Sequence, residues 1–144
     1  MAEKKTVFLT GASGHMGWAG FKELYKKKDK LNIVLLLRDS EKNRKKFANY
    51  LNDPSVKIVW GDLKKYDDVL KCVEGSDYVL HVGGMVSPSA DYYPTKTIQT
   101  NTTAAKNIVD AVKAQPNKDD IKVVYIGTVA QTGDRNAPIH WART

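Results

Sequence analysis

Eight residues near the N-terminus, Thr10–Gly17, constrain the fold of this chain more than any other stretch. They read TGASGHMG, follow the short apolar run Thr6–Leu9 and precede a helix-like segment. A strand that ends in such a turn and continues as a helix forms a phosphate cradle. Gly11 permits the tight turn, Gly14 lets the backbone approach a pyrophosphate, and Gly17 lets the helix pack closely on the strand. Unpaired N–H groups at the helix start favour a bound anion. The stretch predicts a dinucleotide site, and a glycine-rich turn without a ligand is the alternative.

The rest of the chain alternates short apolar runs with helix-like segments. Strands are predicted at Thr6–Leu9, Asn32–Leu37, Val56–Trp60, Tyr78–Val82 and Ile121–Ile126, and helices at Met16–Lys28, Ser40–Leu51, Leu63–Val73 and from Pro94 to Ala114. The strand runs are mostly continuously apolar, which is typical of strands covered on both faces. Alternating βα units of this kind predict an α/β fold, a doubly wound parallel sheet with the strand order 3-2-1-4-5.

Composition limits the class of protein. At 144 residues the chain forms one domain at most, and its 42% hydrophobic and 27% charged residues are typical of a globular protein. Its apolar runs are too short to cross a membrane, and no apolar segment of the signal-peptide type follows Met1. Cys72 is the only cysteine, which excludes an internal disulfide and a multi-cysteine metal site. We therefore expect a cytoplasmic protein with no membrane partner.

The formal net charge of +7 raises the question of a nucleic-acid partner. The lysines are scattered over helix-like segments without interleaved aromatic residues that could stack on bases. Three of them, at 26–28, fall at the end of the first helix, where cations suit the helix dipole. We expect a solvated basic face and no nucleic acid. The alternative, a basic nucleic-acid binder, predicts strongly salt-dependent binding to DNA or RNA.

The Thr-Gly-x-x-Gly-x-x-Gly spacing at the first strand–helix turn resembles the extended short-chain dehydrogenase/reductase family. That family includes nucleotide-sugar epimerases and dehydratases and dihydroflavonol-reductase-like enzymes. Four further segments resemble family motifs in the expected order: Gly61–Leu63, Asp77–Gly84, Asn101–Asn107 and Tyr125–Ala130. The resemblance covers nearly the whole chain. It implies that residues 1–144 are an NAD(P)-binding Rossmann domain, the N-terminal part of a longer protein, cut before the sixth strand.

The resemblance assigns cofactor contacts to the residues that match these motifs. They are Gly11, Ser13, Gly14, His15, Met16 and Gly17 in the cradle, and Arg38, Asp62, Leu63, Val82, Gly83, Gly84 and Asn101 beyond it. The carboxylate of Asp62 can accept from the adenine amino group, with an N-cap for the next helix as the alternative. Gly83 and Gly84 permit a close approach to the cofactor ribose. Asn101 is expected to support the structure. His81 is expected to be a buried, hydrogen-bonded structural residue, not a general base.

Arg38 and Asp39 directly follow the second strand, where dinucleotide folds meet the adenosine ribose. An acid there binds the 2′-hydroxyl of NAD, whereas an arginine can pair with the 2′-phosphate of NADP. An arginine at this place, with Lys42 and Arg44 following, resembles the NADP-using reductase branch of the family. We therefore expect NAD(P) as cofactor with a preference for NADP. A surface ion pair between Arg38 and Asp39 is the alternative.

Thr128 is the candidate catalytic residue. In the family a hydroxyl at this position, after the fifth strand, polarises the substrate carbonyl; a β-favouring threonine is the alternative. Gly127 departs from the serine that is common in relatives. No Tyr-x-x-x-Lys pair follows Thr128. The one match, Tyr92 to Lys96, contains Pro94, which would leave Tyr92 outside the helix, and we reject it as the catalytic pair.

These motifs imply the cofactor part of an oxidoreductase or epimerase. The whole enzyme would move a hydride between the nicotinamide and a carbonyl or alcohol carbon of a nucleotide sugar or related small molecule. The chain alone is expected to be inactive, because it lacks the tyrosine, and no metal is expected. A non-enzymatic dinucleotide sensor or scaffold protein is the alternative. The resemblance also implies a homodimer of the full-length protein.

Overall fold

A five-stranded parallel sheet lies at the centre of the molecule. The computed structural model describes residues 4–82 and 94–126. The strands are β1 (Lys5–Thr10), β2 (Leu31–Leu37), β3 (Val56–Trp60), β4 (Tyr78–His81) and β5 (Lys122–Tyr125). They lie in the order β3-β2-β1-β4-β5, and every pairing is parallel. The predicted fold class and strand order are therefore confirmed. The order reverses between β1 and β4, which opens a crevice at the carboxyl ends of these strands.

Four helices connect the strands in the described residues. They are α1 (His15–Tyr25), α2 (Glu41–Lys46), α3 (Tyr66–Val73) and α4 (Pro94–Lys113), and short 3₁₀ turns occupy Ala48–Tyr50 and Lys118–Asp120. Among these helices none is both long and apolar enough to cross a membrane.

The side chains of β2 divide between two cores, one on each face of the sheet. Ile33 and Leu35 pack with Phe21 and Phe47 under α1 and α2. Val34 and Leu36, which alternate with them, pack against α3 and α4 on the other face. Because successive strand side chains point to opposite faces, a strand buried on both faces has to be continuously apolar, as the run Ile33–Leu37 is.

Three helix boundaries differ from the sequence prediction by three or more residues. Helix α1 ends at Tyr25 and not at Lys28, because the N–H groups of Lys27 and Lys28 donate three residues back, in tight turns. The second helix divides after Lys46, where Phe47 leaves helical geometry and a 3₁₀ turn follows. Helix α3 begins at Tyr66 and not at Leu63, because the preceding residues form a turn, described below. The Ser40 cap is confirmed: its hydroxyl accepts from the Asn43 N–H at 3.1 Å.

Some predictions fall outside the described residues. They concern Gly83, Gly84, Tyr92 and Thr128, and the expectation that the chain is cut before a sixth strand.

Candidate functional site

A cleft of about 590 Å³ opens at the carboxyl ends of the strands, where the sequence predicts the ligand. Its walls are the loop between β1 and α1, the ends of β2 and β3, the residue after β4 and one side of α4. The predicted cofactor residues that line it are Gly11, Ser13, Gly14, His15, Met16, Gly17, Arg38, Asp62, Leu63 and Val82. Motifs far apart in the sequence therefore meet at one cleft.

The loop between β1 and α1 has the geometry of an anion cradle. Gly11 has a φ of +74°, which strains any residue with a side chain. The Gly14 N–H donates to the Gly11 carbonyl at 3.0 Å and closes the turn, and the first helical bond runs from Trp18 N–H to the Gly14 carbonyl. Helix geometry therefore leaves the N–H groups of His15–Gly17 without a partner four residues back. The first turn holds no acidic residue, so nothing there competes with an anion for the positive end of the helix.

Gly17 and Gly14 serve this loop in different ways. A Cβ at Gly17 would lie 1.8 Å from the Gly11 carbonyl oxygen and 2.9 Å from the Ala12 nitrogen, both backbone atoms. A Cβ at Gly14 would lie 3.4 Å from the same oxygen, which is ordinary contact. Gly17 is therefore required for the close packing of α1 on β1, whereas the missing side chain of exposed Gly14 leaves room on the ligand side.

The exit of β3 is a hydrogen-bonded turn. The Gly61 N–H donates to the Leu37 carbonyl at 2.8 Å, and the Asp62 N–H donates to Oδ2 of Asp68 at 3.0 Å. A Cβ at Gly61 would lie 2.5 Å from that oxygen, so glycine makes room for the carboxylate. Asp62 Oδ1 accepts from the Lys64 N–H at 2.8 Å. Asp62 thus stabilises a turn and does not cap α3, so the N-cap alternative is wrong.

A hydrogen bond from α4 also stabilises this turn. Asn107 is buried, and its amide Nδ2 donates to the Leu63 carbonyl at 2.8 Å. This contact places Leu63 at the cleft wall. Asn107 was not predicted as a positioning residue, and the one sequence signal for it is its place at the end of the Asn101–Asn107 motif.

At the exit of β2, Arg38 and Asp39 have separate environments. Arg38 is exposed and lines the cleft. The Asp39 carboxylate accepts from Arg44 Nε at 2.5 Å and from Nη2 at 2.9 Å, and this pairing lowers the pKa of Asp39 below its usual value. The Arg44 guanidinium in turn lies 4.6 Å from the centre of the Trp60 ring. The ion pair expected as the alternative does form at this strand end, but its cation is Arg44 and not Arg38.

The ends of β1 and β4 are joined by a buried polar contact. Thr10 Oγ1 lies 2.8 Å from His81 Nδ1 and accepts from the Val82 N–H at 3.0 Å. His81 is 4% exposed, and burial lowers the pKa of its imidazole, which favours the neutral ring. The expected burial and hydrogen bonding of His81 are confirmed, and its structural role stays a prediction. The contact fixes the backbone of Val82 at the cleft.

One side of α4 contributes residues that were not predicted from the sequence as part of the cofactor site. Lys96, Thr100 and Ala104 line the cleft, and their four-residue spacing places them on one helix face. Asn101 is half-buried on the same helix and is not among the lining residues.

The charge of the cleft favours an anionic ligand. Arg38, Lys64 and Lys96 are basic residues of its wall, and Asp62 is the one carboxylate among the described lining residues. In residues 4–82 and 94–126, no group of three His, Cys, Asp or Glu side chains is arranged to hold a metal ion.

Comparison with known proteins identifies the family. The model of the NAD dependent epimerase/dehydratase family matches residues 7–142. The chain belongs to this family. Among its members, UDP-glucose 4-epimerase of Rickettsia bellii is 33% identical over 128 residues, which are 86% of this chain and 36% of that protein. UDP-glucose 4-epimerase of Rickettsia felis is 30% identical over the same lengths. The chain thus spans about a third of these epimerases.

Solved structures of the same fold also extend well beyond this chain. Pen from Bacillus thuringiensis matches with a TM-score of 0.78 and 24% identity, over 91% of this chain and 39% of that one. The Bordetella bronchiseptica enzyme WbmH, solved in complex with NAD+, matches with a TM-score of 0.69 and 22% identity, over 91% of this chain and 41% of that one. These neighbours share the fold of this chain.

Proposed function

We propose that this chain binds a nicotinamide dinucleotide in the cleft and forms the cofactor part of an epimerase, dehydratase or reductase. The observation that carries the proposal is that the glycine-rich loop and the ends of β2, β3 and β4 face one cleft. Membership of an NAD dependent family supports it.

The residues present fit the dinucleotide. The open N–H groups at the start of α1 suit the pyrophosphate, and the space at Gly14 lets it approach the backbone. The Asp62 carboxylate, fixed by its turn, suits the adenine amino group. Bound there, a nicotinamide dinucleotide would supply hydride transfer. The chain's own residues would bind and orient it.

We also propose that NADP is preferred over NAD. Arg38 is exposed at the cleft and can pair with a 2′-phosphate. The Asp39 carboxylate is engaged by two hydrogen bonds from Arg44, so it is a poorer acceptor for the 2′-hydroxyl of NAD.

Calorimetric titration of this chain with NADP+ and NAD+ tests both proposals. One charge-assisted hydrogen bond contributes about 1.5–3 kcal/mol, so R38M is expected to weaken NADP+ about tenfold to a hundredfold and to leave NAD+ within about threefold. The matched control is K26M, which removes the same charge from an exposed pair with Glu23. Absence of dinucleotide binding would contradict the first proposal, and tighter binding of NAD+ would contradict the second.

For the whole protein we propose a nucleotide sugar or related small molecule as substrate, since relatives are named UDP-glucose 4-epimerase. Thr128 remains the residue predicted to polarise the substrate carbonyl, and a homodimer remains a prediction. The test is C4 epimerisation of UDP-glucose by a protein that includes this chain, with NAD+ and with NADP+. Dinucleotide binding without turnover of any nucleotide sugar would favour the sensor or scaffold alternative.

A further inference from the structure

A lysine outside the cleft contacts the backbone of the glycine-rich loop. Lys46 is the last residue of α2, and its Nζ donates to the Ser13 carbonyl at 3.0 Å. The same ammonium lies 4.7 Å from the centre of the Trp18 ring, in cation–π range. Lys46 is half-buried and is not among the residues that line the cleft. The Ser13 carbonyl therefore points toward α2.

Buried residues before and after Lys46 in the sequence fix its position. Three residues earlier, buried Asn43 donates from Nδ2 to the Arg38 carbonyl at 2.8 Å. The next residue, Phe47, is fully buried and packs edge-on against Trp18 with ring centres 5.2 Å apart. Because both anchors are buried, the reach of the Lys46 side chain to the loop is set by packing. The short helix thus ties the end of β2 to the glycine-rich loop.

This contact matters because the loop must present donors, and not acceptors, to a phosphate. The Gly14 N–H is already used to close the turn with Gly11. A rotation of the Ser13–Gly14 peptide would break that bond and could turn a carbonyl oxygen, with its partial negative charge, toward the anion. A cation bound to the Ser13 carbonyl opposes such a rotation.

We propose that Lys46 is a positioning residue, which holds the Ser13 carbonyl toward α2 and so keeps the glycine-rich loop in its anion-binding conformation. The inference rests on the proposed function of the cleft. It requires that Lys46 affects every ligand with a phosphate at the loop, not only those with a 2′-phosphate.

The test compares ADP, NAD+ and adenosine binding to the wild-type chain, K46M and K46R by calorimetry and by ¹⁵N NMR titration. K46M is expected to weaken ADP and NAD+ about tenfold to a hundredfold, the range for a hydrogen bond to a charged group, and to leave adenosine unchanged. K46R is expected to stay within about threefold of wild type, because arginine can donate to a carbonyl and lie over an indole ring. The Gly14 amide resonance should shift in K46M without ligand and return in K46R.

K45M is the matched control, because Lys45 is exposed and pairs with Glu41 on the same helix. It removes an equal charge one residue away and should bind every ligand as the wild type does. Unchanged ADP binding by K46M overturns the inference, as does an equal loss for ADP and adenosine, or an equal loss in K45M. A wild-type chain that binds neither ADP nor NAD+ overturns the proposed function itself, which separates the two failures.

Discussion

Substitution of Gly17 by alanine should destabilise the fold and the cofactor site together. The new Cβ would lie 1.8 Å from the Gly11 carbonyl oxygen, whereas non-bonded heavy atoms settle at about 3.5 Å. Helix α1 would have to withdraw from β1 by about 1.7 Å, because the obstructing atoms are backbone and cannot change rotamer. Overpacking of this kind costs about 3 kcal/mol, and the better helix propensity of alanine returns about 1 kcal/mol. We expect a net loss of about 2 kcal/mol.

Gly20 provides the matched control for this prediction. It lies on the same helix, and a Cβ there would meet nothing within 4 Å. G20A should therefore stabilise the protein by about 0.5–1 kcal/mol. Urea unfolding followed by far-UV circular dichroism measures both variants on one scale. The reasoning fails if G17A lies within about 0.5 kcal/mol of wild type, or if G20A loses as much as G17A. NAD(P)+ affinity should fall at least tenfold in G17A and stay near wild type in G20A.

Two further predictions concern buried titratable groups. Burial lowers the pKa of His81, so below about pH 6.5 the unfolded chain binds a proton that the folded chain resists. The free energy of unfolding should be full above that pH and fall as the pH drops below it, and H81Q should flatten this slope in urea unfolding. A slope that H81Q leaves unchanged would assign it to other groups. Burial raises the pKa of Cys72 to about 12, so a thiol reagent at pH 7.5 should label this residue only in urea, and rapid labelling of the native protein would contradict its burial.

The sequence was sufficient to predict the fold because the composition of a strand indicates whether its two faces are covered. A run such as Ile33–Leu37 can be satisfied only where both faces of the strand are covered, and β2 lies in such a place. Helix ends were predicted less well. The end of α1 and the start of α3 depend on backbone turns, such as the one at Asp62, whose hydrogen bonds are local but have no unique residue pattern.

The cleft residues divide in the same way. Residues of the glycine-rich loop, Arg38 and Asp62 could be predicted because their motifs have fixed offsets from strand ends. Lys46 and Asn107 could not be, because their partners lie 33 and 44 residues away and are brought near only by packing. The NADP preference, the catalytic role of Thr128 and the homodimer stay predictions.

The strands differ in how firmly the rest of the molecule holds them. β1 lies between two strands and under helices on both faces, whereas in residues 4–82 and 94–126 β5 pairs with β4 alone, and all of its residues are exposed. Native proteins open in cooperative units, and the least embedded unit opens first. Amide hydrogens of β5 should then exchange with solvent through local opening, and those of β1 only when the whole domain unfolds. A ligand at the end of β1 would slow global unfolding and leave the local opening of β5 as it was. Ligand binding would therefore slow hydrogen exchange in β1 and leave exchange in β5 unchanged.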